Sequence, residues 1–495
     1  MKKIFLLFII VLNLKAVDFV LIDTFNDAPN SPYAPIKAGD LDNDGLAEVI
    51  FASDSFIPPK IVIYERKEGG GFSRVHIVPT AFPNPWVFRH FGIGDFDRDG
   101  KMDIFISYYN NNFIEHFDII ESQHINSYPD TVVWSDSLYI EGNSTIFYFY
   151  AEDLDGDGRK EIAIHKGDAT DLLIYENEID NSYALVLHKN YYNDTTFTPS
   201  TFVMGDLDMD GLPELILINT SHVYNCKVTF FEAIGNDSIM IIDTIRLNNV
   251  MGWPNYDAIF CGDVNNNGKP EVMIHGHTPR GGRWRDDIWL IEATGDNQYE
   301  IIWYDSIPNN PAYPDYGACS AAGDLTGDGI PEIVISMTTR VYVLQYIPGQ
   351  GYTYIWQKNY AWNTGNIAAA VYDINGNGLN DMILSVQHQE ENRVTYILER
   401  SPSVSEKYLK ITPYFYVLPK ITSDSLKISY FLKSSKSADF YIYNILGEKV
   451  YFKKIKKEGE FYLNLKRLKF APGIYFLRIL SPEFKKTEKI IFWRK

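Results

Sequence analysis

The stretch Asp40-Leu41-Asp42-Asn43-Asp44-Gly45-Leu46-Ala47-Glu48 decides the fold, because it returns six times along the chain. The later copies are DFDRDGKMD from Asp95, DLDGDGRKE from Asp153, DLDMDGLPE from Asp206, DVNNNGKPE from Asp263, DLTGDGIPE from Asp324 and DINGNGLND from Asp373. Successive copies start 55, 58, 53, 57, 61 and 49 residues apart. A recurrence on that scale marks a repeat architecture, in which one supersecondary unit is stacked many times.

Each copy sets oxygen side chains at positions 1, 3 and 5, a glycine at 6 and a carboxylate at 9. Oxygens spaced two residues apart on a tight loop converge on one point. A hard divalent cation wants such a shell: calcium takes about six to eight oxygens at roughly 2.3–2.6 Å. The predicted side-chain ligands of loops one to four are Asp40, Asp42, Asp44 and Glu48; Asp95, Asp97, Asp99 and Asp103; Asp153, Asp155, Asp157 and Glu161; and Asp206, Asp208, Asp210 and Glu214. Loop five offers Asp263, Asn265, Asn267 and Glu271, loop six Asp324, Thr326, Asp328 and Glu332, and loop seven Asp373, Asn375, Asn377 and Asp381. Position 7 adds a backbone carbonyl from Leu46, Lys101, Arg159, Leu212, Lys269, Ile330 or Leu379. Up to seven Ca2+ ions are therefore expected, bound most weakly at loops five and seven, which keep only two carboxylates each.

An EF-hand opens in the same way, but it needs a glutamate at position 12 and helices on both sides. Here the acid at position 9 runs straight into VIF, IFI, IAI, LIL, VMI, IVI or MIL, which are strand sequences. The loop is thus a calcium turn between two β-strands. An Asx turn without metal is the alternative. Against it stands the repulsion among three or four carboxylates held together in copy after copy.

Around each loop four short strands are legible. In the first repeat these are IKAGD, EVIFAS, KIVIYERK and FSRVHIVP. Third strands recur as DLLIYENE, KVTFFEAI, DIWLIEAT, RVYVLQYI and RVTYILER, and fourth strands as ALVLHKN, IMIIDTI, YEIIWYDS and YTYIWQKN. Tandem four-stranded units without helical periodicity predict an all-β, seven-bladed β-propeller over residues 17–400. The seventh repeat runs out before a fourth strand. FVLIDTF (Phe19 to Phe25) resembles IMIIDTI and is expected to complete that blade and close the ring, which removes an open edge.

Residues 1–16, MKKIFLLFIIVLNLKA, have the lysines, apolar run and small terminal residue of a secretory signal peptide, too short for a membrane span. No other stretch is apolar and long enough to cross a bilayer, so the mature chain is expected to have no transmembrane segment. It is expected to pass through the periplasm and end secreted or at the cell surface. Cys226, Cys261 and Cys319 are too few for a disulfide framework, and small buried thiols are the expected reading of Cys261 and Cys319. Residues 401–495 hold 20 Lys and Arg against 8 Asp and Glu, whereas the remainder holds 25 against 56. Of those 56 acids, 23 sit at ligand positions, so the acidity reflects the ion sites and argues against nucleic acid as a partner.

The xGDxDxDGxxE-strand pattern resembles the FG-GAP/VCBS repeat of integrin-α-like propellers, over about residues 19–400. Residues 401–415 read as a linker, and residues 416–495 as a small immunoglobulin-like β-sandwich. Within it YNILGEKV, LKRLKFAPGIYFLRI and KKTEKIIF resemble the type A C-terminal sorting domain of the type IX secretion system. That resemblance implies outer-membrane secretion machinery as a partner, with surface attachment or release.

Strand parity places the calcium loops on one face of the propeller and the second-to-third and blade-to-blade connections on the other. The latter carry Trp86, Arg89, His90, Tyr108, Tyr109, Trp253, Tyr256, His275, His277, Arg283, Trp284, Tyr313, Tyr316 and Trp362. Aromatic platforms beside guanidinium and amide donors suit sugar rings or extended peptides. The expected function is an adhesion or binding module for a glycan or protein ligand. Two alternatives stand beside it. One is a polysaccharide lyase or hydrolase using His275, His277, Arg280, Arg283 and Asp286, and the other is a structural envelope subunit.

Overall fold

A computed structural model describes residues 17–401 and 414–493. Short connections are excepted: 29–34, 43, 54–55, 57–58, 68, 83–84, 86, 110–113, 125–126, 140–145, 167–170, 191–198, 222–224, 248–256, 281–282, 309–318, 361–363, 389–392, 419–420, 423–424, 432–436, 457 and 482–484. The signal-peptide reading of residues 1–16 lies outside the described residues, as does most of the proposed linker. The chain divides into two compact units, Met1–Ser401 and Pro402–Lys495.

The first unit opens with β1 (Phe19–Phe25). Blade 1 follows with β2 (Lys37–Gly39), β3 (Glu48–Ser53), β4 (Lys60–Arg66) and β5 (Phe72–Ile77). Blade 2 holds β6 (Val87–Gly94), β7 (Asp103–Tyr109), β8 (Ile114–Glu121) and β9 (Thr131–Tyr139). Blade 3 holds β10 (Ile146–Glu152), β11 (Glu161–Lys166), β12 (Asp171–Ile179) and β13 (Ser182–Asn190). Blade 4 holds β14 (Pro199–Gly205), β15 (Glu214–Ser221), β16 (Asn225–Gly235) and β17 (Ser238–Leu247). Blade 5 holds β18 (Asp257–Gly262), β19 (Glu271–Arg280), β20 (Arg283–Gly295) and β21 (Gln298–Pro308). Blade 6 holds β22 (Ala321–Gly323), β23 (Glu332–Ser336), β24 (Arg340–Ile347) and β25 (Gly351–Asn359). Blade 7 holds β26 (Thr364–Tyr372), β27 (Asp381–His388) and β28 (Arg393–Arg400).

Among the described residues these strands form seven four-stranded antiparallel sheets, the last ordered β1-β28-β27-β26. The N-terminal strand therefore supplies the missing fourth strand, pairing from Phe19↔Arg400 to Phe25↔Thr395. Asp27 locks this closure. Its carbonyl accepts from the Thr395 hydroxyl of blade 7 at 2.9 Å, while its carboxylate accepts from Ser53 at 2.7 Å and Tyr64 at 2.9 Å in blade 1.

Burial falls from the axis outward, as a radial sheet requires. The second strands β3 and β23 are buried along their whole length, whereas β5 and β17 at the rim alternate toward solvent. Cores lie between neighbouring blades; one joins Ile50 and Val62 of blade 1 to Ile106 of blade 2 and Ile383 of blade 7. The glycine before two of the loops has a packing reason. A Cβ on Gly205 would stand 2.4 Å from the Phe260 ring, and one on Gly323 would stand 2.5 Å from Val371. Only glycine lets the next blade's innermost strand come this close.

The second unit is a two-sheet sandwich. One sheet runs β29 (Tyr414–Leu418), β31 (Ser425–Phe431), β34 (Glu458–Asn464). The other is ordered β30 (Ile421–Thr422), β36 (Lys485–Phe492), β35 (Gly473–Leu480), β32 (Ser437–Asn444), β33 (Lys449–Lys456). Its core combines Leu426, Ile428 and Leu463 of the first sheet with Phe440, Ile442, Leu477 and Ile490 of the second. The segment DFYIYNILGEKVYF folds as a hairpin, β32 and β33 turning at residues 445–448. Cys226 and Cys261 are buried thiols and Cys319 is a partly buried one, none of them in a disulfide. No helix among the described residues is long and apolar enough to cross a membrane.

Candidate metal centres

Each nine-residue loop joins the first strand of a blade to the second, and it is held by its own side chains. One carboxylate oxygen at position 9 accepts the N–H at position 2 in all seven loops, from Leu41 to Glu48 at 2.5 Å through Ile374 to Asp381 at 3.0 Å. The Oδ2 at position 1 accepts the glycine N–H at position 6, at 2.7 to 3.1 Å. These bonds curl the backbone so that the remaining oxygens face inward. The glycines at position 6 have φ of 87° to 102° in all the loops, a conformation that side chains resist.

The loops then divide into two groups. In loops one to four the second position-1 oxygen, Oδ1 of Asp40, Asp95, Asp153 and Asp206, is buried with no hydrogen-bond partner. At position 9 the same holds for Glu48 Oε1, Asp103 Oδ1 and Glu161 Oε1 of loops one to three and for Asp381 Oδ1 of loop seven. Such oxygens are costly to leave unpaired. Asp40, Asp42 and Glu48 bring oxygens within 4.8 Å of one another, as do Asp95, Asp97 and Asp103, and Asp153, Asp155 and Glu161. All-oxygen carboxylate clusters of this kind fit a hard divalent cation.

In loops five to seven the position-1 Oδ1 is already served. Asp263 accepts from Asn267 N–H at 3.0 Å, Asp324 from Asp328 N–H at 3.1 Å, and Asp373 from Asn377 N–H at 3.0 Å. The oxygen left bare in loops one to four is here turned to the backbone.

Sequence reasoning missed one acid in six of the seven blades. At the position-9 end of the third strand stand Glu65, Glu121, Glu176, Glu232, Glu292 and Glu399, with Gln345 in blade 6. The ladders pair Glu48 with Glu65, Asp103 with Glu121, Glu161 with Glu176 and Glu271 with Glu292, so this side chain lies beside the loop. Its partners follow the loop's charge. Asn265 and Asn267 donate to Glu292 at 3.0 and 2.6 Å, and Asn375 and Asn377 donate to Glu399 at 2.8 and 3.1 Å. In blade 6 the roles reverse, and the Gln345 amide donates to Glu332 at 2.9 Å. The signal was present in the aligned third strands, which repeat an acid at one column.

A second missed feature ties blade to blade. The turn between the third and fourth strands carries Asn181, Asp237 or Asn297 in the left-handed region, at φ of 58°, 56° and 58°. Each backbone N–H donates to the position-3 carboxylate of the preceding blade: Asn181 to Asp97 at 2.9 Å, Asp237 to Asp155 at 3.1 Å and Asn297 to Asp208 at 2.7 Å.

Burial governs the electrostatics. It pushes Glu48, Asp103, Glu161, Glu214 and Glu271 up to about 8, and Glu332 and Asp381 up to about 7, with the neighbouring loop carboxylates adding to the rise. A cation among them would reverse this balance.

The opposite face is described only in part. Trp86, Trp253, Tyr256, Tyr313, Tyr316 and Trp362 lie outside the described residues. Arg89, His90, Tyr109, His277, Arg283 and Trp284 lie on described strands, but their side chains fall outside the description. Two expectations are corrected. Tyr108 is fully buried, donating to Asp118 at 2.8 Å and accepting from Phe82 N–H at 3.0 Å. His275 is fully buried as well, 3.4 Å from Asp286, which is itself buried and meets Arg340 at 3.4 Å. Strand alternation turned both inward, so neither is presented to a ligand, and His275 with Asp286 lies out of a substrate's reach.

Comparison with known families gives two matches. Residues 23–106 and 324–384 match the FG-GAP-like repeat, and residues 417–492 match the secretion system C-terminal sorting domain. No curated protein matches the chain. Among solved structures it is similar to BBS1N, solved in complex with ARL6DN and soaked with lead, at 12% identity and a TM-score of 0.48 over 79% of this chain and 99% of that one. It is also similar to a protein from Lactobacillus plantarum at 10% identity and a TM-score of 0.44, over 66% and 85% of the two chains.

Proposed function

Since the chain carries FG-GAP-like repeats ahead of a C-terminal sorting domain, which implies export to the surface or the medium, we propose that it is a calcium-stapled propeller serving as an extracellular binding or adhesion module. The observation that carries the calcium reading is the set of buried, partnerless position-1 oxygens in loops one to four. The residues that would hold the ions there are those at positions 1, 3, 5 and 9, with the carbonyl at position 7. Bound calcium supplies the positive charge that these carboxylates lack. The chain's own residues do the rest: the position-2 and position-6 N–H groups orient the acids, and the Asn181, Asp237 and Asn297 turns carry that order into the next blade.

The binding reading rests on placement. The sorting domain implies that the propeller works outside the cell, and one of its faces is taken up by metal loops and inter-blade turns. The other face carries the aromatic and arginine-rich connections, and loops on a rigid scaffold are where ligands usually bind. A glycan or an extended protein segment is the ligand class that fits them. The test is a glycan and peptide array probed with the full chain, in calcium and in chelator. Calcium-dependent retention of one ligand class, lost on Trp253→Ala or Trp284→Ala, supports the module. Turnover of a polysaccharide substrate would favour the lyase or hydrolase instead, and a blank array with an inert activity screen would favour a structural subunit.

A further inference from the structure

The turn between the third and fourth strands brings more than its backbone to the preceding loop. In blades 3, 5 and 6 the fourth strand sets a tyrosine at one column of the ladder: Tyr183 pairs with Asn177, Tyr299 with Ala293 and Tyr352 with Tyr346. Tyr183 and Tyr299 come two residues after Asn181 and Asn297, whose N–H groups hold the position-3 acids of loops two and four at 2.9 and 2.7 Å. Each ring is buried in the core that contains its loop's position-2 residue, Phe96 for Tyr183 and Leu207 for Tyr299. The two phenols thus reach the same point of their loops from the next blade.

What they meet there differs. The Tyr299 hydroxyl donates to Glu214 Oε1 at 2.8 Å and lies 3.4 Å from Asp208. The Tyr352 hydroxyl accepts from Asn265 at 3.2 Å and donates to Glu271 Oε1 at 3.3 Å. Tyr183 is 7% exposed, yet its hydroxyl is buried with no hydrogen-bond partner. The reason lies at position 9. Loops four and five have glutamate there, whereas loop two has Asp103, one methylene shorter. With its Oδ2 tied to the Phe96 N–H at 2.7 Å, Asp103 keeps its Oδ1 buried and unpaired as well. Asp95 Oδ1 is a third such oxygen of this loop. Three buried oxygens without partners are costly, and a phenol that holds its proton still has a lone pair to offer.

We propose that the Tyr183 hydroxyl oxygen is a ligand of the ion in loop two, supplied across the blade boundary, so that this site is built by blades 2 and 3 together. The gap that the shorter Asp103 opens takes a hard cation, whose shell is made of oxygens. In loop three the same column carries Ile239 of blade 4, paired with Ala233, and it has no oxygen to give. The inference rests on the calcium reading of the loops.

The test is the melting temperature of the full chain in excess calcium and in chelator, for Tyr183→Phe, Asp95→Asn and the double variant. Tyr183→Phe keeps the ring and removes an unpaired hydroxyl, so in chelator it should melt no lower than the unaltered chain. In calcium it should lose part of the ion-induced rise, and calorimetric titration should show one site weakened about tenfold. Asp95→Asn should already lose that share, and adding Tyr183→Phe to it should change nothing further. Asp103→Glu gives a second, independent reading. Its longer side chain should accept from Tyr183 as Glu214 does from Tyr299, raising the melt in chelator, and Tyr183→Phe should cancel that gain. An undiminished calcium rise in Tyr183→Phe, beside a reduced one in Asp95→Asn, overturns the Tyr183 ligand and leaves the loop reading standing. An equal loss in calcium and in chelator also overturns it, since that marks a packing role. No calcium-induced rise in the unaltered chain overturns both.

Discussion

Loops one to four and loops five to seven follow one sequence pattern and one backbone course, yet they satisfy their acids by different means. In the first group the position-1 aspartate keeps a buried oxygen free, facing the position-9 acid. In the second, the same oxygen takes a backbone N–H, and amides from Asn265, Asn267, Asn375, Asn377 or Gln345 settle the third-strand or position-9 acid. On the proposed calcium reading, an amide donor and an external cation are alternative answers to one problem, the desolvation of a carboxylate cluster. The difference teaches that ligand charge alone does not sort the loops. Loop six keeps three carboxylates and still turns its position-1 oxygen to the backbone as loops five and seven do, although Asp381 Oδ1 of loop seven stays buried without a partner.

The largest expected effect is on the first group as a whole. Each native-state ion at about 100 times its dissociation constant adds roughly 2.7 kcal/mol, so four such loops give about 10 kcal/mol. For a unit of this size that corresponds to about 10–15 °C in melting temperature. Scanning calorimetry of the full chain in excess calcium and in chelator reads it, and coincident melts would break the comparison at its root.

Next in size is a single position-1 change. Asp95→Ala should cost about 3 kcal/mol in calcium but only about 1 kcal/mol in chelator, where it loses the acceptor of the Gly100 N–H and no ion. Asp324→Ala removes an acceptor of three backbone N–H groups, at 2.6, 3.1 and 2.7 Å, and should cost about 2–3 kcal/mol equally in both conditions. Equal calcium dependence of the two variants would erase the division.

Converting one group into the other sharpens it. Asn265→Asp with Asn267→Asp strips Glu292 of both amide donors, so the variant should melt lower in chelator by about 2 kcal/mol, and calcium should restore it with one added ion. The smallest effect concerns the inter-blade turn. Asn181→Gly keeps the N–H to Asp97 and the left-handed backbone but loses the side-chain bond to Glu121 at 3.1 Å, a cost of about 1 kcal/mol by thermal melt.

Much of this was legible in the chain. The loop spacing names the carboxylates that the loops gather, the apolar runs name the second strands, and FVLIDTF announces the closing strand. The features that escaped depended on curvature and register. Asn181, Asp237 and Asn297 look like ordinary hairpin turns until the ring brings each against the preceding loop. The third-strand glutamates read as solvent-side charges until the ladder sets Glu121 opposite Asp103. Tyr108 and His275 were misplaced for a related reason, since alternation along a strand says that faces differ without saying which one meets the next blade.

The closing strand also decides how cleanly the propeller can be separated from the sorting domain. Because β1 fills the rim of blade 7, the chain leaves the ring from β28, a strand hydrogen-bonded on both sides, with Ser401 N–H still bonded to the Asp18 carbonyl at 2.7 Å. Among the described residues, nothing beyond Ser401 contributes a strand to any blade. The propeller is in this sense detachable: a protease cutting within residues 402–413 would release a ring with all its blades whole, whereas one trimming the chain back past Phe25 would leave a raw edge.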